Sequence, residues 1–520
     1  MKENAVEQGI VELNAQAAPE DSFRRRYLAK LLTNVAGAPV GLAAQFLAPR
    51  MAGPAGYGAY TLLNSFFQSL VTFLDAGAST HFYAKLSQRP SDNGLKRFIW
   101  YLVTALSVCM VVFVAAVSAV GWSNWFWPDK KNSLVWLALS LAVTLWIGQI
   151  IGKMVDAHGL TVGGERMRFG QKLIGLGLLA SVYLVGWRSV EVLFVYNLVM
   201  AALLAAAWWW VLRQRRTVVF PRRDADERPL ESYWIESWIF SKPLLVCAAC
   251  ASIAYYGERW ILERSAGSQQ QGYFGLAYTV TLVCSMFINA LSPLFMREIT
   301  VAHAKGDLDR MRSLYRRCVP MLYLVAAYFS MFTCVEADKI VVIAGGDEFA
   351  DAGTTLIIYA LVPIHQIYGQ MNGSFFFATG NTKAYRNIDI IITLSGLLLT
   401  GYLVSPARFG GLDLGARGLA AKMLIVQFLC VNVQLLWITR LIHCSFWKFV
   451  AHQFLVVVLL GGLALLVRFA FVQRGLASWS ELLLAGISYS LLTVLAVWAM
   501  PRLAGSSRSE LRALLRWKPA

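Results

Sequence analysis

Long apolar runs, separated by short polar stretches, set the pattern of this chain. They fall at about 27–48, 57–78, 98–121, 134–155, 169–187, 189–212, 237–260, 273–296, 315–335, 350–378, 385–405, 416–442, 449–471 and 480–501. A hydrocarbon layer about 30 Å thick takes roughly 20 apolar residues per crossing helix, and most of these runs meet that length. A backbone in lipid must satisfy its own hydrogen bonds, so runs of this kind predict helices. The alternating short strands of an outer-membrane barrel are absent from the pattern. The fold class expected is therefore an all-α polytopic membrane protein of about 14 transmembrane helices.

Punctuation between the runs divides the chain further. Arg213 to Glu236 is rich in charge and carries Pro221 and Pro229, separating six helices from eight. The expected organisation is a tail at 1–26, an N-lobe of helices 1–6 at 27–212 and a linker at 213–236. A C-lobe of helices 7–12 follows at 237–442, then helices 13–14 at 443–501 and a tail at 502–520. Six plus six with two appended is a repeat architecture of the sort many transporters use.

Composition agrees that lipid is the main solvent. Of 520 residues, 57% are hydrophobic and 15% charged, where a soluble chain carries about a quarter charged. The net charge of +17 would suggest nucleic acid in a soluble protein. Here the loops absorb it. With the amino terminus inside, 34 of the 47 Lys and Arg flank inner helix ends and 11 flank outer ones. That asymmetry predicts an even helix count with both termini cytoplasmic. Trp122, Trp125 and Trp127 suit an outer interface belt. The polar, acidic stretch 1–21, then Arg24–Arg26 and a long apolar run, give no cleaved leader in expectation.

Catalytic and metal-binding patterns are missing from the sequence. It has no H-E-x-x-H, G-x-S-x-G, Walker A or dinucleotide loop. Seven of the eight cysteines sit inside apolar runs as small hydrophobes; Cys247 and Cys250 form a CxxC without a second pair. The six histidines are scattered. No enzyme activity, cofactor, metal or nucleic-acid partner is expected.

What remains are polar residues on the faces of spanning helices. Lys30, Asn34, Gly37, Gly41 and Gln45 share one face of helix 1, and Thr61, Asn64, Gln68 and Asp75 share one face of helix 2. Lys242 and Tyr256 align on helix 7, with Glu258 and Arg259 at its outer end. Helix 8 aligns Tyr278, Ser285, Asn289 and Ser292, and helix 10 aligns Tyr359, Gln366 and Gln370. In lipid such residues turn toward a bundle interior or a wet cavity. Helix packing uses the same small and polar stripes, and charges near helix ends commonly snorkel to the headgroups. Asp75 has two further readings, capping a helix end or pairing with Lys85. Lys153 and Asp156 form a same-face series with Gln149 that suits an interfacial salt bridge.

The segments Pro49–Tyr60, Asp75–Gly77, Glu258–Leu262 with Gly272–Ala277, and Pro293–Phe295 with Ala304–Leu308 resemble parts of the polysaccharide flippases, of the Wzx type, in the multidrug/oligosaccharidyl-lipid/polysaccharide (MOP) superfamily. Pro49-Arg50-Met51-Ala52-Gly53-Pro54-Ala55-Gly56-Tyr57-Gly58-Ala59-Tyr60 is similar to the family's R-x-L-G-P-x-x-Y/F-G-x-Y/F turn between helices 1 and 2, with Ala52 where Leu is usual. Asp75-Ala76-Gly77 resembles its D-x-G ending of helix 2. Glu258-Arg259-Trp260-Ile261-Leu262, followed by Gly272-Tyr273-Phe274-Gly275-Leu276-Ala277, resembles the opening of the second half, with Glu258 where Asp is customary. Pro293-Leu294-Phe295 and Ala304-Lys305-Gly306-Asp307-Leu308 resemble the end of helix 8 and its following loop.

The resemblance implies two six-helix lobes around a central cavity, with inward–outward rocking. Its usual cargo is an undecaprenyl-pyrophosphate-linked glycan repeat unit, delivered to the outer leaflet of a bacterial inner membrane for a polymerase of the same pathway. Lys30, Arg50, Lys242 and Arg259 then become the expected cations for the anionic headgroup. Asn34, Gln45, Asn64, Gln68, Tyr256 and Asn289 become polar lining, and Asp75 and Glu258 are placed for coupling or gating. A monomer is expected. Alternatives are a lipid II flippase or a drug/ion antiporter of the same superfamily and, from other classes, a membrane glycosyltransferase or polymerase, or an assembly scaffold.

Overall fold

The computed structural model describes residues 23–215, 228–285, 288–471 and 478–505. Most of the 1–26 tail, half of the 213–236 linker and the greater part of the 502–520 tail lie outside these residues. Among the described residues the chain forms seventeen α-helices, three short 3₁₀ turns and no strand. The first eight helices are α1 Phe23–Asp75, α2 Ala78–Gln88, α3 Asn93–Ala119, α4 Ser123–Phe126, α5 Asn132–Ala157, α6 Thr161–Leu184, α7 Val190–Gln214 and α8 Leu230–Ser285. They are followed by α9 Ile288–Ala304, α10 Leu308–Val335, α11 Ala337–Gly345, α12 Gly353–Tyr359, α13 Val362–Ala378, α14 Thr382–Val404, α15 Gly415–Leu441, α16 Phe446–Phe471 and α17 Ser478–Ala499.

Two of these are too long for one crossing. α1 has 53 residues and α8 has 56, and each is broken inside by a single glycine. Gly53 adopts φ 65°, ψ 173° and Gly267 adopts φ 80°, ψ 176°. That region is essentially closed to residues with a Cβ. Each long helix is thus two spans meeting at a glycine corner. With α8 continued by α9, and α12 by α13, the helices account for all fourteen apolar runs. Taken whole, eight of the described helices are long and apolar enough to cross a membrane, or nine with α8, which is also bent by 56° between Lys242 and Leu244. Multi-pass membrane insertion follows.

Helix ends extend past the apolar runs where polar residues cap them. Asp92 accepts from the Leu95 N–H at 2.8 Å and opens α3; Asp307 accepts from the Arg310 N–H at 2.8 Å and opens α10. Gly306, left-handed at φ 66°, makes the turn before that cap, which explains the Ala304–Leu308 motif. Gly159 at φ 73° makes an equally tight turn between α5 and α6. α6 therefore begins at Thr161, well before the apolar run at 169–187, and Arg166, Arg168 and Lys172 lie in its helical body. The run 350–378 is interrupted between α12 and α13, where Pro363 occupies the first turn of α13.

Contacts divide the chain into two compact units. One comprises Met1–Ala52 with Ala59–Tyr256, the other Gly53–Gly58 with Gly257–Ala520. The first packs α5 against α7 and α2 around Phe66, Phe67, Trp127, Trp146 and Trp208. The second packs α10 against α13 and α16 around Tyr315, Tyr323, Tyr368 and Phe375.

Within the second unit the two glycine corners meet reciprocally. A Cβ on Gly58 would stand 1.8 Å from the Ser268 carbonyl oxygen, and a Cβ on Gly272 would stand 2.0 Å from the Pro54 carbonyl oxygen. Counting from each corner glycine, these are the same two positions in both turns. Tyr57 Oη and Thr279 Oγ1 lie 2.9 Å apart beside this crossing. The Gly-Pro-x-x-Tyr-Gly motif is thus a backbone-to-backbone contact that only glycine permits.

Candidate functional site

The first unit holds a polar cavity of about 370 Å³ between α1, α2, α5 and α8. The corner Asp75-Ala76-Gly77 builds its wall. Ala76 at φ 38° and Gly77 at φ 83° end one helix and start the next, leaving the Asp75 carboxylate to cap α2. One carboxylate oxygen accepts from the Ser79 hydroxyl at 2.8 Å; the other accepts from the Trp146 indole N–H at 3.1 Å and the Ser79 N–H at 3.3 Å. The Lys153 ammonium donates to the Ser79 hydroxyl at 2.5 Å. Gln68, two turns before Asp75 on α1, and Gln149, one turn before Lys153 on α5, line the same cavity. Asp75 is thus a helix cap. Its alternative partner Lys85 bonds Glu236 at 2.5 Å instead, beside Arg89.

A second charged group in this unit gathers on α1, α5 and α6. Lys30 donates to Asp156 at 2.9 Å, so Asp156 serves α1 while Lys153, three residues away, serves Ser79. Arg168 pairs with Glu165 at 3.1 Å and lies 5.2 Å from the Trp208 ring. The Lys172 ammonium rests against the helix 1 stripe, 2.9 Å from where a Gly37 Cβ would be. Lys153 and Lys172 were absent from the expected site. Lys172 lies inside the apolar run 169–187, and its place against α1 comes from helix packing that the spacing does not show.

The other expected residues of this unit divide. Gln45 and Lys242 are exposed, while Arg50 and Asn64 are half-buried. Tyr256 is engaged in packing: its hydroxyl donates to the Phe126 carbonyl and its ring centroid lies 4.8 Å from that of Phe66. The side chains of Asn34 and Asn289 lie outside the described residues.

In the second unit, Glu258 and Arg259 are both buried. Glu258 accepts from the Lys422 ammonium of α15, and the pair is almost wholly withdrawn from solvent. The Arg259 guanidinium stands 5.3 Å from the Phe274 ring and 5.7 Å from the Tyr278 ring, a cation–π seat. Beside them Ser268 donates to the buried Glu263 at 2.6 Å, tying the Gly267 corner down. Among the described residues no group of three His, Cys, Asp or Glu is placed to hold a metal ion.

Known proteins carry related architecture. The chain resembles the lipid II flippase MurJ in an inward closed conformation, with TM-score 0.66 and 12% identity over 91% of this chain and 98% of that one. It resembles an inward-facing multidrug resistance MATE family transporter of the MOP superfamily, with TM-score 0.57 and 16% identity over 78% and 94%. A MOP superfamily transporter from Pyrococcus furiosus, described for the reverse polarity of its binding pocket, gives TM-score 0.51 and 16% identity over 80% and 94%. At these identities the likeness establishes the fold. No curated protein matches by sequence. The family model described as "Polysaccharide biosynthesis protein" matches residues 25–295, just over half of the chain. Both glycine corners, the Asp75 cap and the Glu258–Arg259 pair fall inside that match, and the chain belongs to the polysaccharide biosynthesis protein family.

Proposed function

We propose that this protein flips a polyprenyl-pyrophosphate-linked oligosaccharide across a bacterial inner membrane by alternating access, with both termini in the cytoplasm. The observation that carries this reading is the set of ammonium groups on the helices of the first unit. Lys30 and Lys153 sit near the helix ends that the Lys and Arg asymmetry assigns to the cytoplasmic side, and Lys172 lies farther along α6 against α1. A pyrophosphate entering from that leaflet must shed water, which is prohibitive without cations to meet it. Charge-assisted hydrogen bonds from lysine supply that contact. Two of these lysines are held by exchangeable partners: a half-buried carboxylate for Lys30 and a hydroxyl for Lys153.

Lys242, exposed, and Arg50, half-buried, are further cations of the first unit. Arg259, seated on two rings, suits a fixed positive field better than direct ligation. Asn64, Gln68 and Gln149 offer amides toward sugar hydroxyls, while the prenyl chain stays in lipid. A negative interior favours outward movement of the anion by about 2.3 kcal/mol per charge per 100 mV. A polymerase or export assembly consumes the delivered unit.

The test is translocation of an undecaprenyl-pyrophosphate-linked trisaccharide by the purified chain in vesicles, read by exposure of the glycan to an impermeant oxidant. Lys30→Ala with Lys153→Ala is expected to slow translocation at least tenfold, given roughly 1.5–3 kcal/mol per charge-assisted bond, at unchanged protein abundance. Wild-type rates in that double variant would remove the lysines from the mechanism. Absence of translocation by the unaltered chain would overturn the flippase reading.

A further inference from the structure

A larger polar cavity, about 560 Å³, lies wholly within the second unit, walled by α9, α13, α14 and α15. This is within the range of about 300–1,000 Å³ typical of small-molecule sites. Its composition differs from that of the cavity in the first unit. On α13, Gln366, Gly369, Gly373 and Phe377 recur at three- and four-residue spacing and share a face. Tyr385 and Asp389 stand one turn apart on α14, and Gln427 and Gln434 two turns apart on α15. Among the described lining residues none is Lys or Arg, and Asp389 is the single carboxylate.

The α13 glycines let side chains of α14 and α15 approach closely: a Cβ at Gly369 would lie 3.0 Å from the Gln427 amide nitrogen, and one at Gly373 would lie 3.5 Å from the Tyr385 ring. One observation marks the site as more than a packing stripe. Gln434 is 2% exposed, and its amide donates to Cys430 Sγ at 3.5 Å. Its carbonyl oxygen, in the cavity wall, has no protein donor. A buried acceptor left unmet is costly, so the site favours a ligand that brings its own hydroxyl.

Side-chain amides donate and accept together, a carboxylate accepts from two neighbouring hydroxyls, and an aromatic face meets apolar C–H groups. The Phe377 and Tyr385 rings, with centroids 5.1 Å apart and planes at 53°, supply such faces at the same wall. This set complements a sugar ring. It does not suit pyrophosphate, which would meet a carboxylate and no cation, nor an acyl chain, which would bury amides unpaired.

We propose that this cavity binds the glycan end of the substrate, takes uncharged hexose or N-acetylhexosamine units, and rejects hexuronic acids, whose carboxylate would face Asp389. The proposal rests on the flippase reading for its substrate, and it assigns sugar selection to the second unit.

Binding to the purified full chain in nanodiscs separates the possibilities. The probes are undecaprenyl pyrophosphate alone and the same carrier bearing a neutral hexose, an N-acetylhexosamine or a hexuronic trisaccharide. In the unaltered chain a neutral glycan is expected to tighten binding about tenfold over the bare carrier, a gain of two or three hydrogen bonds. Asp389→Asn and Gln427→Ala should each lose most of that gain, with bare-carrier affinity and thermal unfolding unchanged. The proposal is overturned if neither neutral glycan tightens binding, if both variants keep the gain, or if the hexuronic glycan binds as tightly. It also falls if Asp389→Asn removes only a dependence on Na⁺ or Ca²⁺, which would make this a cation site. Failure of the bare carrier to bind strikes the flippase reading instead. Titration with the free neutral trisaccharide then still decides the cavity.

Discussion

Lys30 and Asp156 meet in the first unit with 47% and 31% of their side chains exposed, whereas Lys422 and Glu258 meet in the second with 5% each. The same pairing of ammonium and carboxylate has opposite consequences in these settings. A solvated pair holds its partners loosely, and an incoming anion can replace the carboxylate at small cost. A sealed pair cannot be opened without stranding a charge in a low-dielectric interior. The Lys30–Asp156 pair is therefore open to exchange, whereas the Lys422–Glu258 pair fixes α8 against α15. Glu258, expected from sequence for coupling or gating, sits in the sealed pair.

The strongest way to break this contrast is Lys422→Met. With Glu258 left charged and buried, unfolding of the purified chain in detergent should move down by about 3–5 kcal/mol. Glu258→Leu combined with Lys422→Met should recover most of that loss. A single variant as stable as the unaltered protein would show that water reaches the pair.

Next in size are the glycine corners. Gly58→Ala or Gly272→Ala forces a methyl into a backbone carbonyl, and each should cost about 1–3 kcal/mol by the same measurement. Because the two substitutions disturb one crossing, their effects should fall short of additive. Strict additivity would mean that the two contacts are independent.

The smallest stability effect is expected for Lys30→Ala, at most about 1 kcal/mol, because its ion pair is solvated. That near-neutrality sharpens the comparison when set beside its effect on translocation. A large loss of stability would recast Lys30 as structural.

The spans were legible in the sequence because a lipid solvent leaves long apolar runs, and the Pro49–Tyr60 motif located one glycine corner. The second corner, at Gly267, sits in a polar stretch of serine and glutamine where no apolar pattern marks it. Helix lengths were misjudged wherever polar residues continue a helix past the apolar run. Arg166 and Arg168, which precede the apolar run at 169–187, lie within α6 for that reason. The pairing of Glu258 with Lys422, 164 positions apart, follows from how α8 and α15 pack, which one-dimensional spacing does not encode. The second cavity shows the same limit. Gln366 and Gln370 were visible as a stripe, but Asp389, Gln427 and Gln434 join it only through the packing of α13, α14 and α15.

The reciprocal glycine crossing bears on how the chain is made. Pro54 and Gly58 leave the ribosome roughly 200 residues before Ser268 and Gly272 exist, while domains ordinarily fold as they emerge. A short stretch synthesised early must therefore wait, with its place in the protein held open, for a counterpart made much later. A truncated product that ends in the linker would lack that counterpart and should be recognised and cleared by membrane quality control.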